Sequence, residues 1–580
     1  MSSFAVRALL LASLLVAPGS TKELVLTKQG YIKGIQESFI YKGQNQTIYK
    51  FLGVPYAEKP IGDLRFKRPQ SLKSWRLSVY NATYFRPVCI QDARYFKKSI
   101  QVVWPEFTAE KGIDEDCLYL NIYTPRTILA KRYPVIVYIH GGSFIAGTPV
   151  RDVSPGEFMP VGGVVLVTVQ YRLGTFGFFS TGTSEAPGNV GLLDQVAALK
   201  WVQENIAGFG GDPNSVTLLG ESAGGASVTF HYLTPLSKGL FHRAIAVSGV
   251  DLSPFATRPK DDVTKISAQI AKNLNCYSRV SSEMLQCLRT LPSSSFINTR
   301  TPNLTPFVDS YFLPDDPKKM REEGRFHKLP LMSGFVSHEG SFILKQRQPE
   351  YNIPGFKEYL GNFLQHEFHQ KNEFALDALE FQYTPWVDVH DRHKIRKKLV
   401  DMLTDYFVAA PTHAVLTMHS DSGAPTYMFE FSHRSKLKES PEWMGVVHGD
   451  TTAYKFGAPL LNTRVMQQFD NDDKNISDML VHLYLNFAKF GDPTPTPVYG
   501  TRWHTYNSST KAYLKIQKNP MMESNFHPAR MAFWNHYFPR LIPPEPRHPP
   551  GVQGSRNDAA MSTTSMGPDI PSPTGLLVRT

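Results

Sequence analysis

The chain has 580 residues, four cysteines and a formal net charge of +11. A rule based on length alone would suggest about four domains. The sequence has no internal repeat and no long Pro/Gly/Ser linker before residue 543, so we expect one large domain over residues 21–542. The positive charge is spread along the chain and no nucleic-acid-binding module is present, so we expect no nucleic-acid partner.

The first twenty residues have the three parts of a secretory signal peptide. Arg7 supplies the positive charge, residues 8–17 form the apolar run, and Ala17-Pro18-Gly19 offers a small-residue cleavage site. The alternative is a buried N-terminal helix or a membrane anchor, but this apolar run is too short to span a bilayer. We find no later membrane span, GPI signal or retention address. The sequence therefore predicts a secreted, extracellular protein.

Cysteines and glycosylation motifs agree with that route. Four cysteines suit an oxidising compartment, and counting alone allows three pairings. Pairing of sequence neighbours, Cys89 with Cys117 and Cys276 with Cys287, would close one long and one short loop; the alternative is buried free thiols. A single N-x-S/T sequon is weak evidence, but several together favour a glycoprotein. The sequons are at Asn45, Asn81, Asn303, Asn475 and Asn507.

Apolar strands and an amphipathic helix alternate through the first half of the chain. Residues 134–140 and 164–171 predict buried strands, and residues 215–220 predict a third. Residues 192–204, between the second and third of these strands, have helical spacing, with apolar residues on one face and with Asp194 and Gln195 away from that face. Strands separated by helices imply an α/β fold with a parallel sheet that is covered on both faces. Chemistry in such sheets gathers at the carboxyl ends of the strands.

The rest of the chain changes in character twice. Residues 260–401 are richer in helical patterns and longer loops, and we expect them to contribute insertions above the site. Within them, residues 392–398 are mostly basic, which is typical of a solvated helix face; the alternative is a weak polyanion contact. Residues 543–580 are dominated by Pro, Gly, Ser and Thr, and this composition predicts a disordered tail.

The sequence Gly220-Glu221-Ser222-Ala223-Gly224 is the most informative motif in the chain. It follows an apolar, β-branched run and precedes a stretch of small residues that can start a helix. This is the strand–turn–helix context of a nucleophile elbow, in which a strained serine is exposed above the sheet. Glycines two residues on either side leave room for so tight a turn. The alternative is a glycine-rich turn whose serine is merely small.

Other sequence blocks accompany this motif in a definite order. They are FLGVPYA with LRF (residues 51–57 and 64–66), EDCLYLN (115–121), HGGSF (140–144), VQYRLG (169–174), GNVGL (188–192) and FGGDP (209–213). Together with the elbow, these blocks resemble the type-B carboxylesterase/cholinesterase family of α/β hydrolases over roughly residues 24–540. The resemblance implies a central, mostly parallel sheet flanked by helices, with helical insertions that roof a gorge.

The resemblance also implies a catalytic triad in the order Ser, Glu, His. Ser222 matches the nucleophile, Glu339 in the block SHEGSF matches the acid, and His448 in the block MGVVHGD matches the base. Chain order alone would leave other histidines after Glu339, including His390 and His413. The neutral imidazole takes the serine proton, and the carboxylate fixes its tautomer. This chemistry uses no metal and no cofactor.

The same resemblance assigns an oxyanion hole to the backbone N–H groups of Gly142, Ser143 and Ala223. It also matches the pairings Cys89–Cys117 and Cys276–Cys287 to the disulfides of the family.

The chain departs from the family pattern at two places. Ser143 stands where active members commonly have a third glycine, and non-enzymatic, neuroligin-like adhesion relatives tend to have serine there. After His448 the chain continues Gly-Asp-Thr-Thr-Ala-Tyr-Lys-Phe-Gly, without the acidic residue and proline that often follow this Asp. An adhesion or binding protein on the same scaffold is therefore the alternative to an enzyme, although an intact triad favours the enzyme.

The substrate expectation rests on aromatic residues. Cholinesterases place a tryptophan between the first two cysteines to bind a quaternary ammonium group. Trp104 lies there, but its neighbours do not match, so we expect it to be a packing residue. Phe255 and Phe307 would line the acyl side or pack in the core. We therefore predict a secreted serine carboxylesterase for small, mainly apolar esters, with a cholinesterase or hormone esterase as a further alternative.

Overall fold

The computed structural model describes residues 23–542, except for residues 42, 76–77, 93–111, 126–131, 153–155, 157, 298, 347–348 and 461–467. The predicted signal peptide and the predicted disordered tail lie outside the described residues. Trp104, which we expected to be a packing residue, also lies outside them. The strands are β1 (Leu24–Leu26), β2 (Tyr31–Lys33), β3 (Ile35–Tyr41), β4 (Gln44–Pro55), β5 (Val79–Asn81), β6 (Tyr119–Thr124), β7 (Tyr133–Ile139), β8 (Val165–Val169), β9 (Gly211–Glu221), β10 (Arg243–Val247), β11 (Leu331–Val336), β12 (Thr426–Phe431), β13 (Ala512–Ile516) and β14 (Met521–Ser524).

The described residues also form α-helices, which lie between and after these strands along the chain. They are α1 (Pro149–Asp152), α2 (Phe158–Val161), α3 (Gly174–Phe178), α4 (Val190–Asn205), α5 (Ala223–Leu233), α6 (Lys260–Asn273), α7 (Ser281–Thr290), α8 (Pro317–Glu322), α9 (Gly340–Gln346), α10 (Ile353–Phe368), α11 (Glu373–Tyr383), α12 (Arg392–Thr404), α13 (Ala410–Asp421), α14 (Thr451–Lys455), α15 (Asn471–Phe490), α16 (Pro528–Ala532) and α17 (Phe538–Leu541). Local sequence explains the longest of them. A capping box of Asp470 and Asp473 starts α15, and Gly491 ends it at a φ of 71°.

Eleven of the described strands form one sheet in the order β14-β13-β12-β11-β10-β9-β7-β8-β6-β4-β3. Seven consecutive strands in this order, β13-β12-β11-β10-β9-β7-β8, run parallel to one another. The pairs outside them, β13 with β14 at one edge and β8-β6-β4-β3 at the other, are antiparallel. The predicted α/β class and the mostly parallel sheet are confirmed. Strand β9 is the sixth in this order, so the residue after it lies at the middle of the sheet's carboxyl edge. Strands β1, β2 and β5 form a separate three-stranded sheet.

Both faces of the sheet are buried under apolar side chains. Alternate residues of β7 belong to different clusters: Val135 and Val137 pack on one face, and Ile136 and Tyr138 on the other. This is the period of two that a strand imposes on its side chains. Strands buried on both faces have continuous apolar sequences, which is why the strand predictions near residues 134–140, 164–171 and 215–220 are confirmed.

Helix α4 confirms the helix predicted over residues 192–204, but the predicted exposure of two polar residues is wrong. Asp194 and Gln195 are buried, although the sequence pattern had placed them off the apolar face. Arg172 donates two hydrogen bonds to the Asp194 carboxylate, both of 2.7 Å, and His231 donates to Gln195 at 3.1 Å. Polar groups enter a core when every one has a partner. The partners come from other segments, so helical periodicity could not reveal them.

The region predicted as helical insertions, residues 260–401, contains α6 to α11 and most of α12. It also contains β11, a strand near the centre of the sheet whose residues are all buried, so the region is not an insertion throughout. Helix α12 has a basic solvent face with Ile395 buried beneath it, as predicted; the polyanion contact stays a prediction. None of the helices in the described part of the chain combines the length and apolar character that a membrane span requires.

The four cysteines form the two disulfides of the predicted pairing, Cys89–Cys117 and Cys276–Cys287. The sequons differ slightly in exposure. Asn303 is half-buried, while four are exposed: Asn45, Asn81, Asn475 and Asn507. Glycosylation at these positions stays a prediction.

Removing the first disulfide should cost more stability than removing the second. The bond Cys89–Cys117 closes a separation of 28 residues against 11 for Cys276–Cys287. On chain-entropy reasoning the longer loop contributes about 3 kcal/mol, and the double variant C89A/C117A should lose about 1 kcal/mol more than C276A/C287A. Denaturant unfolding measures both losses. Peptide mapping without reduction is the companion experiment, and a bond between Cys117 and Cys276 would overturn the pairing.

Candidate active site

Ser222 occupies the sharp turn between the central strand β9 and helix α5. Its φ of 59° and ψ of −126° lie in a region that non-glycine residues rarely adopt, which is the strain expected of a nucleophile elbow. A methyl group on Gly224 would lie 2.1 Å from the carbonyl oxygen of Ile139, and one on Gly220 would lie 2.1 Å from that of Gly224. Only glycine fits at these two positions. The turn leaves Ser222 half-buried between two fully buried neighbours.

Glu339 and His448 are in direct contact although they are 109 residues apart in the chain. Glu339 follows β11, and its Oε1 accepts a hydrogen bond of 2.9 Å from the backbone N–H of Val336. Its Oε2 lies 2.5 Å from Nδ1 of His448. An ionised carboxylate can only accept, so Nδ1 carries the hydrogen, which leaves Nε2 of a neutral ring free to take a proton.

The surroundings of His448 favour its protonated form. Burial by itself lowers the pKa of the imidazole, but the carboxylates of Glu339, Glu221 and Asp450 together raise it above the ordinary value. Glu339 makes the largest of these contributions through its charge and its hydrogen bond. An imidazole in this setting is a stronger base than a free one.

The loop of His448 is tied to the elbow through the residue before Ser222. Thr451 and Thr452 donate hydrogen bonds of 2.8 and 2.7 Å to the carboxylate of Glu221. The described residues show no hydrogen bond from Ser222 Oγ to His448, so the predicted triad is joined directly at one of its two contacts. Catalytic hydrogen bonds of this kind often tighten only when substrate is present.

A second turn, at residues 141–146, lies against the elbow. A methyl group on Gly141 would lie 3.0 Å from Cβ of Ser222 and 2.4 Å from the carbonyl oxygen of Glu221. Gly142 and Ser143 have φ values of 114° and 54°, and the backbone N–H groups of Ile145 and Ala146 both donate to the carbonyl of Gly142. Within the described part of the chain, the N–H groups of Gly142 and Ser143 have no protein acceptor.

Ala223 is the first residue of α5, so its N–H has no acceptor inside the helix. The three N–H groups predicted for the oxyanion hole therefore belong to two turns in contact, and none of the three has a hydrogen-bond acceptor among the described residues.

Comparison with known proteins agrees with this geometry. The profile of the carboxylesterase family matches residues 21–534. The chain is also 35% identical over 552 residues to acetylcholinesterase of Bungarus fasciatus. The aligned residues cover 91% of this chain and 88% of that protein. The chain belongs to the carboxylesterase family. It is accordingly a serine carboxylic ester hydrolase, and the predicted family, fold and enzyme class are confirmed.

Two aromatic side chains lie near the predicted catalytic residues of this carboxylesterase. The Phe342 ring is half-buried, with its centroid 6.1 Å from that of His448. Phe255 is also half-buried and approaches Gly249, which in turn packs on the carbonyl of Ser222. Phe307 is fully buried against Gly188, so of its two predicted roles the core one is favoured.

Sequence reasoning missed one group of residues in this carboxylesterase, namely the surroundings of Glu221. The Glu221 carboxylate is buried, and Lys455 forms an ion pair with it. Burial raises the pKa of Glu221, but Lys455, Thr452 and His448 outweigh that effect and hold it below the ordinary value, so the group stays ionised. The available signal was that this lysine lies in the stretch after His448, where the acidic residue and proline of the family pattern are missing.

Proposed function

We propose that this carboxylesterase hydrolyses small, mainly apolar carboxylic esters through an acyl-enzyme on Ser222, with His448 as base and Glu339 as its acidic partner. The strained position of Ser222 at the carboxyl end of the central strand carries the proposal. A hydroxyl held in that way can reach a substrate carbonyl above the sheet. The bond between Glu339 and His448 supports the assignment of the base.

The chemistry proceeds in two acyl transfers. Ser222 Oγ attacks the ester carbonyl while Nε2 of His448 takes its proton, and this proton then passes to the departing alcohol. Water next gives a proton to Nε2 and attacks the acyl carbonyl. As the acid leaves, this proton passes from Nε2 to Ser222 Oγ, which restores the serine hydroxyl and the neutral imidazole. Each tetrahedral oxyanion would receive hydrogen bonds from the N–H groups of Gly142, Ser143 and Ala223. One such donor can contribute about 3–4 kcal/mol to transition-state stabilisation.

Glu339 has two roles in this scheme. It holds the tautomer of His448 in which Nε2 is free, and it stabilises the imidazolium that forms during attack. Ser143 is compatible with catalysis because the backbone N–H, and not the side chain, is the proposed donor.

The apolar substrate class is supported by the ring of Phe255 near the elbow and by the ring of Phe342 near His448. The rival substrate is a choline ester, since the chain resembles a protein named acetylcholinesterase. The acyl-transfer groups act on the carbonyl alone, so the pocket around the alcohol decides between the two.

The test compares two esters that differ only in charge. The full chain is expressed in eukaryotic cells, and the medium is assayed with the butyrate esters of choline and of 3,3-dimethylbutanol. We expect the uncharged ester to be hydrolysed with the higher kcat/KM. Medium from cells that express Ser222→Ala provides the background. A choline preference of about tenfold or more, worth about 1.4 kcal/mol in the transition state, would overturn the apolar assignment.

We further propose that the protein is secreted, with residues 1–20 as signal peptide and residues 543–580 as a tail after the catalytic domain. The disulfides and the exposure of four sequons support this route. The assay of the medium tests it directly, because activity that stays inside the cells would contradict secretion.

A further inference from the structure

Lys455 is a lysine with a fully buried side chain beside the nucleophile elbow. Its Nζ pairs with Oε2 of Glu221, the residue directly before Ser222, and its side chain has 0% exposure. The rings of Tyr138 and Phe456 have their centroids 5.2 and 5.5 Å from Nζ. Burying a lysine is costly unless it is paired, so this position is built around the ion pair.

The carboxylates that act on His448 are Glu339, Glu221 and Asp450. Asp450 pairs with Lys438, as Glu221 pairs with Lys455. Among the ion pairs of the described residues, Glu339 has only His448 as a basic partner. Two lysines therefore offset part of two of the three negative charges, and Glu339 acts on the imidazole without a lysine partner.

We propose that Lys455 is a positioning residue that cancels the charge of Glu221 beside Ser222 and thereby makes the site discriminate against esters of cationic alcohols. The proposal rests on the proposed function and adds the residue that sets its preference for uncharged substrates. A second uncompensated carboxylate next to the nucleophile would attract a cationic alcohol group and stabilise imidazolium, since charges interact strongly where water is excluded.

Other groups around Glu221 cannot replace the lysine. Thr451 and Thr452 donate hydrogen bonds to the carboxylate but carry no charge. Tyr484 also faces Glu221, and burial followed by that negative charge raises the pKa of its hydroxyl, so it stays neutral. Lys455 is thus the cation paired with Glu221 among the described residues, and His448 is the other basic group that senses its charge.

The experiment uses the full chain with Lys455→Met, a side chain of similar length that has no charge. The ratio of kcat/KM for choline butyrate to that for 3,3-dimethylbutyl butyrate should rise about tenfold, and the acid limb of kcat/KM for the neutral ester should move up by about one pH unit. Glu221→Gln combined with Lys455→Met should restore both values, because the charge and its partner are then both absent. Lys50→Met, at a partly buried ion pair on β4, should change neither.

Two further measurements keep the test decisive. Calorimetry with choline itself should give about tenfold tighter binding to Lys455→Met than to the unsubstituted protein, and this reading does not depend on turnover. Glu221→Gln alone leaves the lysine unpaired and should shift the ester ratio and the acid limb in the opposite direction. This variant still tests the role of Lys455 if the Lys455→Met protein does not fold.

The outcomes separate this proposal from the proposed function. A folded Lys455→Met protein with an unchanged ester ratio, acid limb and choline affinity overturns the role of Lys455 and leaves Ser222 chemistry standing. A protein that hydrolyses no ester, yet binds choline more tightly after Lys455→Met, contradicts the proposed function and supports the role of Lys455. If Lys455→Met does not fold, unchanged values in Glu221→Gln overturn the role of Lys455.

Discussion

With alanine in place of Ser222, we expect kcat for ester hydrolysis to fall about a millionfold while the fold stays intact. The loss follows because no other group on the elbow can form the acyl-enzyme. Stability should change little, since Ser222 Oγ makes no hydrogen bond to the described residues. Steady-state kinetics and thermal unfolding measure the two effects. An organophosphate should label the unsubstituted protein once, at Ser222, and should not label the variant.

Ser248 offers a matched control for that substitution. It also follows a central strand, β10, has a φ of 54°, and its buried Oγ has no hydrogen-bond partner among the described residues. Ser248→Ala should retain turnover and organophosphate labelling. Near-normal turnover in Ser222→Ala, or stoichiometric labelling of another serine, would end the assignment of the nucleophile.

Replacing Glu339 by glutamine should lower kcat by about ten-thousandfold with little change in the fold. The amide oxygen can still accept from Val336, which preserves the local backbone. The amide nitrogen would face Nδ1 of His448 as a donor, so the ring would adopt the tautomer whose Nε2 already carries hydrogen. Single-turnover kinetics with a chromogenic ester would locate the loss in acylation.

Glu430→Gln is the matched control for Glu339. Glu430 is a buried carboxylate in the neighbouring strand β12, 3.8 Å from Lys515. Its substitution should affect stability more than turnover. If Glu339→Gln kept more than about a tenth of the original kcat, the acid would have to be sought elsewhere.

Much of the fold was predictable because it rests on local patterns. Strands buried on both faces have unbroken apolar sequences, and β7, β8 and β9 were all found in that way. The same reasoning failed for β11, which lies in a region dominated by helices. A single short apolar run there does not distinguish a strand from a buried helical segment.

The elbow could be predicted from the sequence, since the two glycines and the strand before Ser222 form the local pattern of this turn, and the structure shows the close approaches that only glycine allows there. The sequence also identified the family, through blocks whose order is specific. The tertiary structure alone decided which buried charges meet. Asp194 forms an ion pair with Arg172, and Lys455 forms one with Glu221 across a separation of 234 residues. Such pairs depend on desolvation and long-range packing, which leave no periodic trace in the sequence.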